Sequence, residues 1–315
     1  MPSGSIPRLN VIVGKGGVGR TTVATAMGLA SVRRGRDTLI VEVSLRQAVP
    51  ELFDAVPRGY EPTECVPGLR AIRVTWEDAL REYGVLKLKF RSLYRMVFEN
   101  PFIRRILPAI PGVAEILVIG KILYVATDGL PDGSRPEVVI LDAPATGHGI
   151  SLLAAPFTVG DVVPSGPMAE DARRLRTQML DRRFARFHIV TTPEEMPVAE
   201  GIELYEALHG RYGLEFGPLI VNGVQPGGLT DAQARTLRWF AARRDPRDPV
   251  ATAARAALFV AARERMQRAH IARLTSRIPI RAIPLPDVSS EASPRRRVER
   301  LADHLGAMLW TEEAR

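Results

Sequence analysis

The sequence predicts an α/β fold, a mainly parallel β-sheet flanked by helices on both faces, with a helical segment inside it. Short runs that are apolar at nearly every position alternate with longer stretches of helical spacing. A strand covered on both faces reads as such a continuous run, whereas a half-exposed strand alternates. A glycine-rich turn also follows the first run and opens a helix. The 315 residues, 46% hydrophobic and 25% charged, suffice for one large domain with a full core.

Residues 1–7 read as a flexible tail, and 8–315 as a single domain. Arg8 to Val13 is the first strand, and glycines dominate from Gly14 to Gly19. Thr21 to Arg34 carries Ala24, Met27, Leu29, Ala30 and Val32 at helical spacing. Asp37 to Val43 is a second buried strand and Leu69 to Val74 a third. Trp76 to Asn100 and Gly112 to Thr127 read as amphipathic helices, which makes about 76–127 the helical segment. Glu137 to Leu141 is an apolar strand that ends in Asp142. Phe187 to Val190, Pro218 to Val221 and Ile280 to Ile283 complete the strands. Helices are expected at Pro197–Tyr212, Asp231–Arg243 and Val250–Leu274, and a last one at Arg297–Trp310 after the cap Ser293-Pro294.

Cys65 is the sole cysteine, so an internal disulfide framework and a thiolate metal cluster within one chain are excluded. No run approaches the roughly 18 apolar residues of a membrane span, and a cytoplasmic location is expected. The net charge of +8 can signal nucleic acid or anionic lipid. Arginine scattered over many helix faces by a high-GC coding background produces the same composition.

Gly14-Lys15-Gly16-Gly17-Val18-Gly19-Arg20-Thr21-Thr22 leaves a strand and opens a helix. In that context backbone N–H groups converge on a phosphate and the helix dipole adds to them. Glycine permits positive φ and close approach. The Thr21 hydroxyl is placed for Mg²⁺.

Lys15, directly before Gly-Gly, resembles the signature lysine of the deviant Walker A P-loop ATPases. These include the MinD and ParA families, nitrogenase iron protein, and ArsA with its tail-anchored-protein-targeting relatives. The resemblance implies a dimer around two ATP molecules, with Lys15 acting on the partner's phosphates. Asp142-Ala143-Pro144-Ala145-Thr146-Gly147-His148 looks like the ArsA-type switch II, with Asp142 on Mg²⁺ and Thr146, Gly147 and His148 in a loop that reports the γ-phosphate. Asn222 and the Pro284-Leu285 pair stand where that family reads adenine, and Val190 to Glu195 resembles its segment that contacts the partner subunit. The matches extend from Gly14 to Pro286, and the chain is identified as an ArsA-like member.

Two positions depart from the pattern. Arg20 replaces the lysine expected before Thr21, and a planar fork does not reproduce a point charge. Ser44 occupies the position of the acid that orients the attacking water, and serine is a poor base. Glu42, two residues earlier, can rescue that role only from further away. The expectation is therefore an ATP-binding, nucleotide-controlled dimer switch with slow or lost hydrolysis, as a homodimer or as the degenerate half of a heterodimer. An active ATPase driving anion transport or membrane-protein targeting is one alternative. A ParA- or MinD-like protein positioned on DNA or membrane is another, although the switch II sequence disfavours nucleic acid. A lone cysteine supplies neither a zinc clasp nor an arsenite site, and the cargo stays open. The apolar run 102–124 fits core or a partner groove. The final helix, with Val298, Leu301, Leu305, Met308 and Leu309 on one side, fits docking on the domain, with peripheral membrane contact as the alternative.

Overall fold

Runs such as VIV, LIV and VVIL have no polar face to offer water, and they become the interior strands of one eight-stranded sheet. The computed structural model describes residues 6–87, 110, 112–163, 165–225, 227–243, 245 and 247–310. In chain order the elements are β1 (Leu9–Gly14), α1 (Arg20–Arg33), β2 (Thr38–Glu42), β3 (Thr63–Val66), β4 (Leu69–Arg73), α2 (Trp76–Lys87) and α3 (Val113–Thr127). β5 (Val138–Asp142), α4 (Thr146–Val162), α5 (Pro167–Leu180), β6 (Ala185–Thr191) and α6 (Glu195–Tyr205) follow. The chain then forms β7 (Leu219–Val224), α7 (Asp231–Ala241), α8 (Pro249–Arg277), β8 (Ala282–Pro286) and α9 (Pro294–Met308).

The strand order is β3-β4-β2-β5-β1-β6-β7-β8. All neighbours are parallel except β3, which runs antiparallel to β4 at the edge. Alternate residues of each interior strand divide the core in two. Leu9, Val11, Leu39, Val41, Val139, Leu141, Phe187 and Ile189 face the layer that contains α2 to α6. Ile12, Ile40, Ile140, Val190 and Ile220 face α1 and α9. α1 lies between the sheet and α9, so residues Val23 to Ser31 are buried without a break.

The expected fold class is observed, with differences in detail. Edge strand β3 escaped the sequence reading because only Thr63 of its four residues is buried, so no apolar run marks it. Helices α4 and α5 were not expected either: α4 buries the consecutive residues Leu152 to Phe157, including Pro156, and α5 buries only Ala169, Ala172, Leu175 and Met179 among its described side chains. The helix expected over Pro197–Tyr212 begins at Glu195 and passes into one π turn at Glu206–Gly210. Of the expected helix Trp76–Asn100, the part beyond residue 87 lies outside the described residues, as do 1–5 of the tail and 102–109 of the apolar run. Ile116, Leu117, Ile119, Ile122 and Leu123 of that run are core residues of α3.

His188 on β6 is buried, and its Nδ1 lies 3.2 Å from the Pro218 carbonyl oxygen. A carbonyl only accepts, so Nδ1 carries the proton and Nε2 remains without a partner. Burial pushes the imidazole pKa from 6.5 down to about 4. The fold thus prefers neutral His188, and the stability this contributes is fully present above pH 6.5 and is lost as the pH falls from there through 4. His188→Asn, which keeps a donor for Pro218 but does not titrate, is expected to remove roughly 3 kcal/mol of that acid-dependent loss. Urea unfolding at several pH values checks this, and an unchanged slope between wild type and variant contradicts it.

Candidate functional site

β1 ends at Gly14 between β5 and β6, so the following loop leaves the carboxyl edge at the middle of the sheet, where open α/β sheets bind ligands. The loop is tightly seated. A Cβ on Gly14 would lie 2.3 Å from the Val190 carbonyl oxygen, and one on Gly19 would lie 2.4 Å from Asn222 Nδ2. Gly17 and Gly19 hold φ of 87° and 86°, the left-handed region that disfavours side chains. Around Gly17 a Cβ would meet nothing within 4 Å, so backbone conformation alone requires glycine there.

Two helix N-termini border this loop. α1 begins after Gly19 and α4 after Ala145, and neither first turn has a side-chain cap. Gly16 faces Ala145, with a Cβ–Cβ separation of 4.0 Å if the glycine carried one. Uncapped N–H groups with the positive ends of two helix dipoles make an anion-binding concavity. Thr21 and Thr22 occupy the first turn of α1.

The Thr21 hydroxyl donates to Asp142 Oδ2 at 2.6 Å. Asp142 Oδ1 is buried without a hydrogen-bond partner. Burial raises the carboxyl's pKa, opposed by the Thr21 hydrogen bond and the Arg20 charge. An orphaned carboxylate oxygen beside a threonine hydroxyl fits a hard divalent cation that takes its other ligands from water and phosphate. Among the described residues no cluster of three or more His, Cys, Asp or Glu side chains forms an all-protein metal cage.

Arg20 donates from its guanidinium to the Ala143 carbonyl oxygen on the loop after β5. Burial lowers its pKa and Asp142 opposes that shift. Lys15 Nζ lies 2.5 Å from Glu200 Oε1 on α6, in a pair about one-third exposed. Sequence reading missed Glu200, because nothing local connects it to a lysine 185 positions away. Asn222, expected against a base, donates from Nδ2 to the Val18 carbonyl at 2.9 Å and so fastens the loop to β7. Pro284 is exposed, whereas the Leu285 side chain is packed in the core, leaving its backbone for any contact with a ligand.

Ser44 is exposed, and its hydroxyl donates to the Arg46 carbonyl at 2.5 Å. Glu42 is 1% exposed, beside Asp142 in the β2–β5 register. Its Oε1 accepts from the N–H groups of Ala48 at 2.7 Å and Val49 at 3.1 Å, and Oε2 has no partner. Burial pushes the Glu42 carboxyl up to about 7, against those two backbone bonds. Ala143, Pro144 and Ala145 form the short loop after β5, while Thr146, Gly147 and His148 already belong to the first turn of α4. Gly147 and His148 are exposed.

A separate cavity of about 360 Å³ lies between α2, α3 and α5, lined in part by Tyr83, Ile116, Leu117, Lys121 and Leu175. None of its lining residues belongs to the phosphate loop or to the segment after β5.

The seating of Gly19 generates a prediction. Gly19→Ala combines a left-handed φ with a clash on Asn222, and is expected to cost about 1–3 kcal/mol. Adding Asn222→Ala relieves the clash and not the φ cost, so the double variant remains less stable than Asn222→Ala alone. Urea midpoints of the three variants test this; a Gly19→Ala midpoint equal to wild type refutes it.

A family profile described as anion-transporting ATPase, the ArsA ATPase family, matches residues 8–165, half of the chain and the part that holds β1, the phosphate loop, β2 and the segment after β5. ATPase BagA of Mycobacterium tuberculosis is 30% identical over 236 residues, which cover 70% of this chain and 66% of the relative. The chain thus spans just under two thirds of the length of that protein. An arsenical pump-driving ATPase of Acidiphilium multivorum is 26% identical over 239 residues, covering 70% of this chain and 40% of the relative. Its counterpart in Escherichia coli is 24% identical with the same coverage. With a central phosphate loop in an α/β sheet and a family match that starts at its first strand, this chain belongs to the ArsA family of anion-transporting ATPases.

Proposed function

We propose that the chain binds ATP with Mg²⁺ on the 14–22 loop and works as a nucleotide-controlled dimer switch whose own hydrolysis is slow or lost. The observation that carries this reading is the disposition of the two cationic and acidic groups that hydrolysis needs. Arg20 donates from one guanidinium nitrogen to the Ala143 carbonyl, and Glu42, the acid two residues before Ser44, accepts through Oε1 from Ala48 and Val49 and is buried.

Bound ATP supplies a transferable γ-phosphoryl group whose charge Mg²⁺ spreads. The backbone N–H groups of the loop and the head of α1 hold the phosphates, and Thr21 with Asp142 holds the ion. Arg20 keeps positive charge at the site, so binding survives, but a guanidinium turned to a carbonyl does not follow the migrating phosphoryl as a free ammonium does. Ser44 cannot accept a proton at neutral pH. Glu42, buried with a pKa of about 7, anchors the turn after β2 and does not present a carboxylate to water. The partner is a second copy, or a sister P-loop ATPase that keeps both missing groups and uses Lys15 of this chain.

Lys15 gives the switch a physical basis. Its partly exposed pair with Glu200 is worth about 1 kcal/mol or less, so a partner's nucleotide phosphates can displace it. Arsenite is not proposed as cargo on the names of the relatives. A soft arsenic site needs clustered thiolates, and the single Cys65 is half-buried with its thiol pushed up to about 12.

Single-turnover hydrolysis by the purified chain is expected well below about 1 s⁻¹, and restoring Arg20→Lys with Ser44→Asp is expected to raise it by about tenfold or more. Turnover at 1 s⁻¹ or faster in the unmodified chain would sink the slow-hydrolysis reading. Glu200→Gln is expected to lower the protein concentration for ATP-dependent dimerisation by a few fold, up to about fivefold, and Lys15→Ala to abolish it. Analytical ultracentrifugation with and without nucleotide reads both, and no nucleotide dependence in any of the three proteins removes the dimer switch.

A further inference from the structure

The hairpin of α7 and α8 carries most of the chain's charge excess. Residues 231–277 contain eleven arginines against four acidic residues, a surplus of seven in a chain whose net charge is +8. Three of the arginines are neutralised locally, Arg243 by Asp248, Arg268 by Glu264 and Arg277 by Glu206. Arg235, Arg238 and Arg265 form no ion pair among the described residues.

The hairpin also turns its large apolar side chains outward. α7 buries only Ala234, and α8 as far as Met266 buries only Ala251, Ala254 and Glu264. Trp239 is 66%, Phe259 71% and Met266 63% exposed. Trp239 stands four residues from both Arg235 and Arg243, and Phe259 four from both Arg255 and Arg263. Met266, seven residues after Phe259, falls on the same stripe. The Arg243 guanidinium lies 5.1 Å from the centre of the Trp239 ring, and Arg255 reaches the Ala241 carbonyl at 3.4 Å. The aromatic–arginine end of α7 therefore adjoins the equivalent stretch of α8.

The base of the hairpin is held firmly. Gln267 on α8 accepts from the Gln225 N–H at 2.9 Å and donates to the Gly223 carbonyl at 3.3 Å. At 29 residues α8 is about 43 Å long, an extended surface rather than a closed pocket.

We infer that this hairpin is an attachment surface for anionic lipid, with its arginines at the phosphate headgroups and Trp239, Phe259 and Met266 at the acyl boundary. A largely exposed helix with aromatic residues between arginines has the chemistry of an interfacial helix. Duplex nucleic acid would use the arginines and leave the apolar stripe without a role. The C-terminal helix α9 docks on the domain, as its sequence suggests, and is unavailable for the alternative membrane contact: Val298, Leu301 and Leu305 are fully buried against α1 and the sheet. The inference stands apart from the nucleotide site and needs no ATP.

The full chain is tested by flotation with phosphatidylcholine vesicles containing about 30 mol% phosphatidylglycerol, and with phosphatidylcholine alone. Binding is expected to the anionic vesicles only, with release at about 0.5 M salt. A blue shift of tryptophan emission should accompany it and disappear in Trp239→Phe. Arg235→Glu with Arg238→Glu is expected to weaken binding by about tenfold or more, and Phe259→Ser to weaken it without changing the salt dependence. These side chains are exposed, and an unchanged thermal midpoint shows that the variants fold. Absence of flotation at low salt overturns the inference. So does binding that ignores the arginine variants, or duplex DNA binding with the same arginine dependence and no vesicle binding.

Discussion

Backbone N–H groups without side-chain partners organise this molecule. α1 and α4 both begin at the carboxyl edge of the sheet, neither has a cap, and the loop 14–19 lies between them. Such groups are costly to leave unpaired, and together they create a region of positive potential that favours an anion. The glycines follow from that requirement: Gly17 and Gly19 supply the left-handed turns, and Gly14 lets the loop pass against the Val190 carbonyl. Asp142 at the end of β5 places an acid beside that loop, with one oxygen on Thr21 and the other without a hydrogen-bond partner.

Around that frame the groups associated with chemistry are diverted to structural work. Arg20 braces the segment after β5, Glu42 closes the turn after β2, and Ser44 bonds to its own loop. A buried carboxylate is costly unless hydrogen-bonded, which explains why Glu42 takes two backbone N–H groups and still has its pKa raised. The slow hydrolysis proposed above rests on these engagements, and the proposed hold on phosphate and a cation rests on the uncapped N–H groups and the unpartnered Asp142 oxygen. Asn222 adds a mechanical connection, since its amide joins the phosphate loop to β7, from which the α7–α8 hairpin departs.

The positive charge of the chain lies in two separate places. The phosphate loop gathers its positive field from backbone dipoles with Lys15 and Arg20, whereas the arginine surplus lies on the hairpin. An overall charge of +8 is ambiguous while it is treated as a property of the whole chain. Once confined to one exposed pair of helices with projecting aromatic side chains, it describes a surface.

The sequence by itself determined the mainly parallel sheet and the phosphate loop that follows its first strand. Buried parallel strands must be continuously apolar, and a phosphate turn must be rich in glycine, so both leave local marks. It did not determine β3, whose exposed residues carry no pattern, or α4, whose proline suggests a break that burial overrides. Tertiary structure decided which groups are engaged: Lys15 with Glu200, Asn222 with Val18, Arg20 with Ala143 and Glu42 with Ala48. It also decided that α9 is packed inside while Trp239 and Phe259 stand outside. These are contacts between residues distant in the chain, or differences in exposure between helices of similar composition. Neither is encoded in local spacing, because both depend on where the sheet brings each segment.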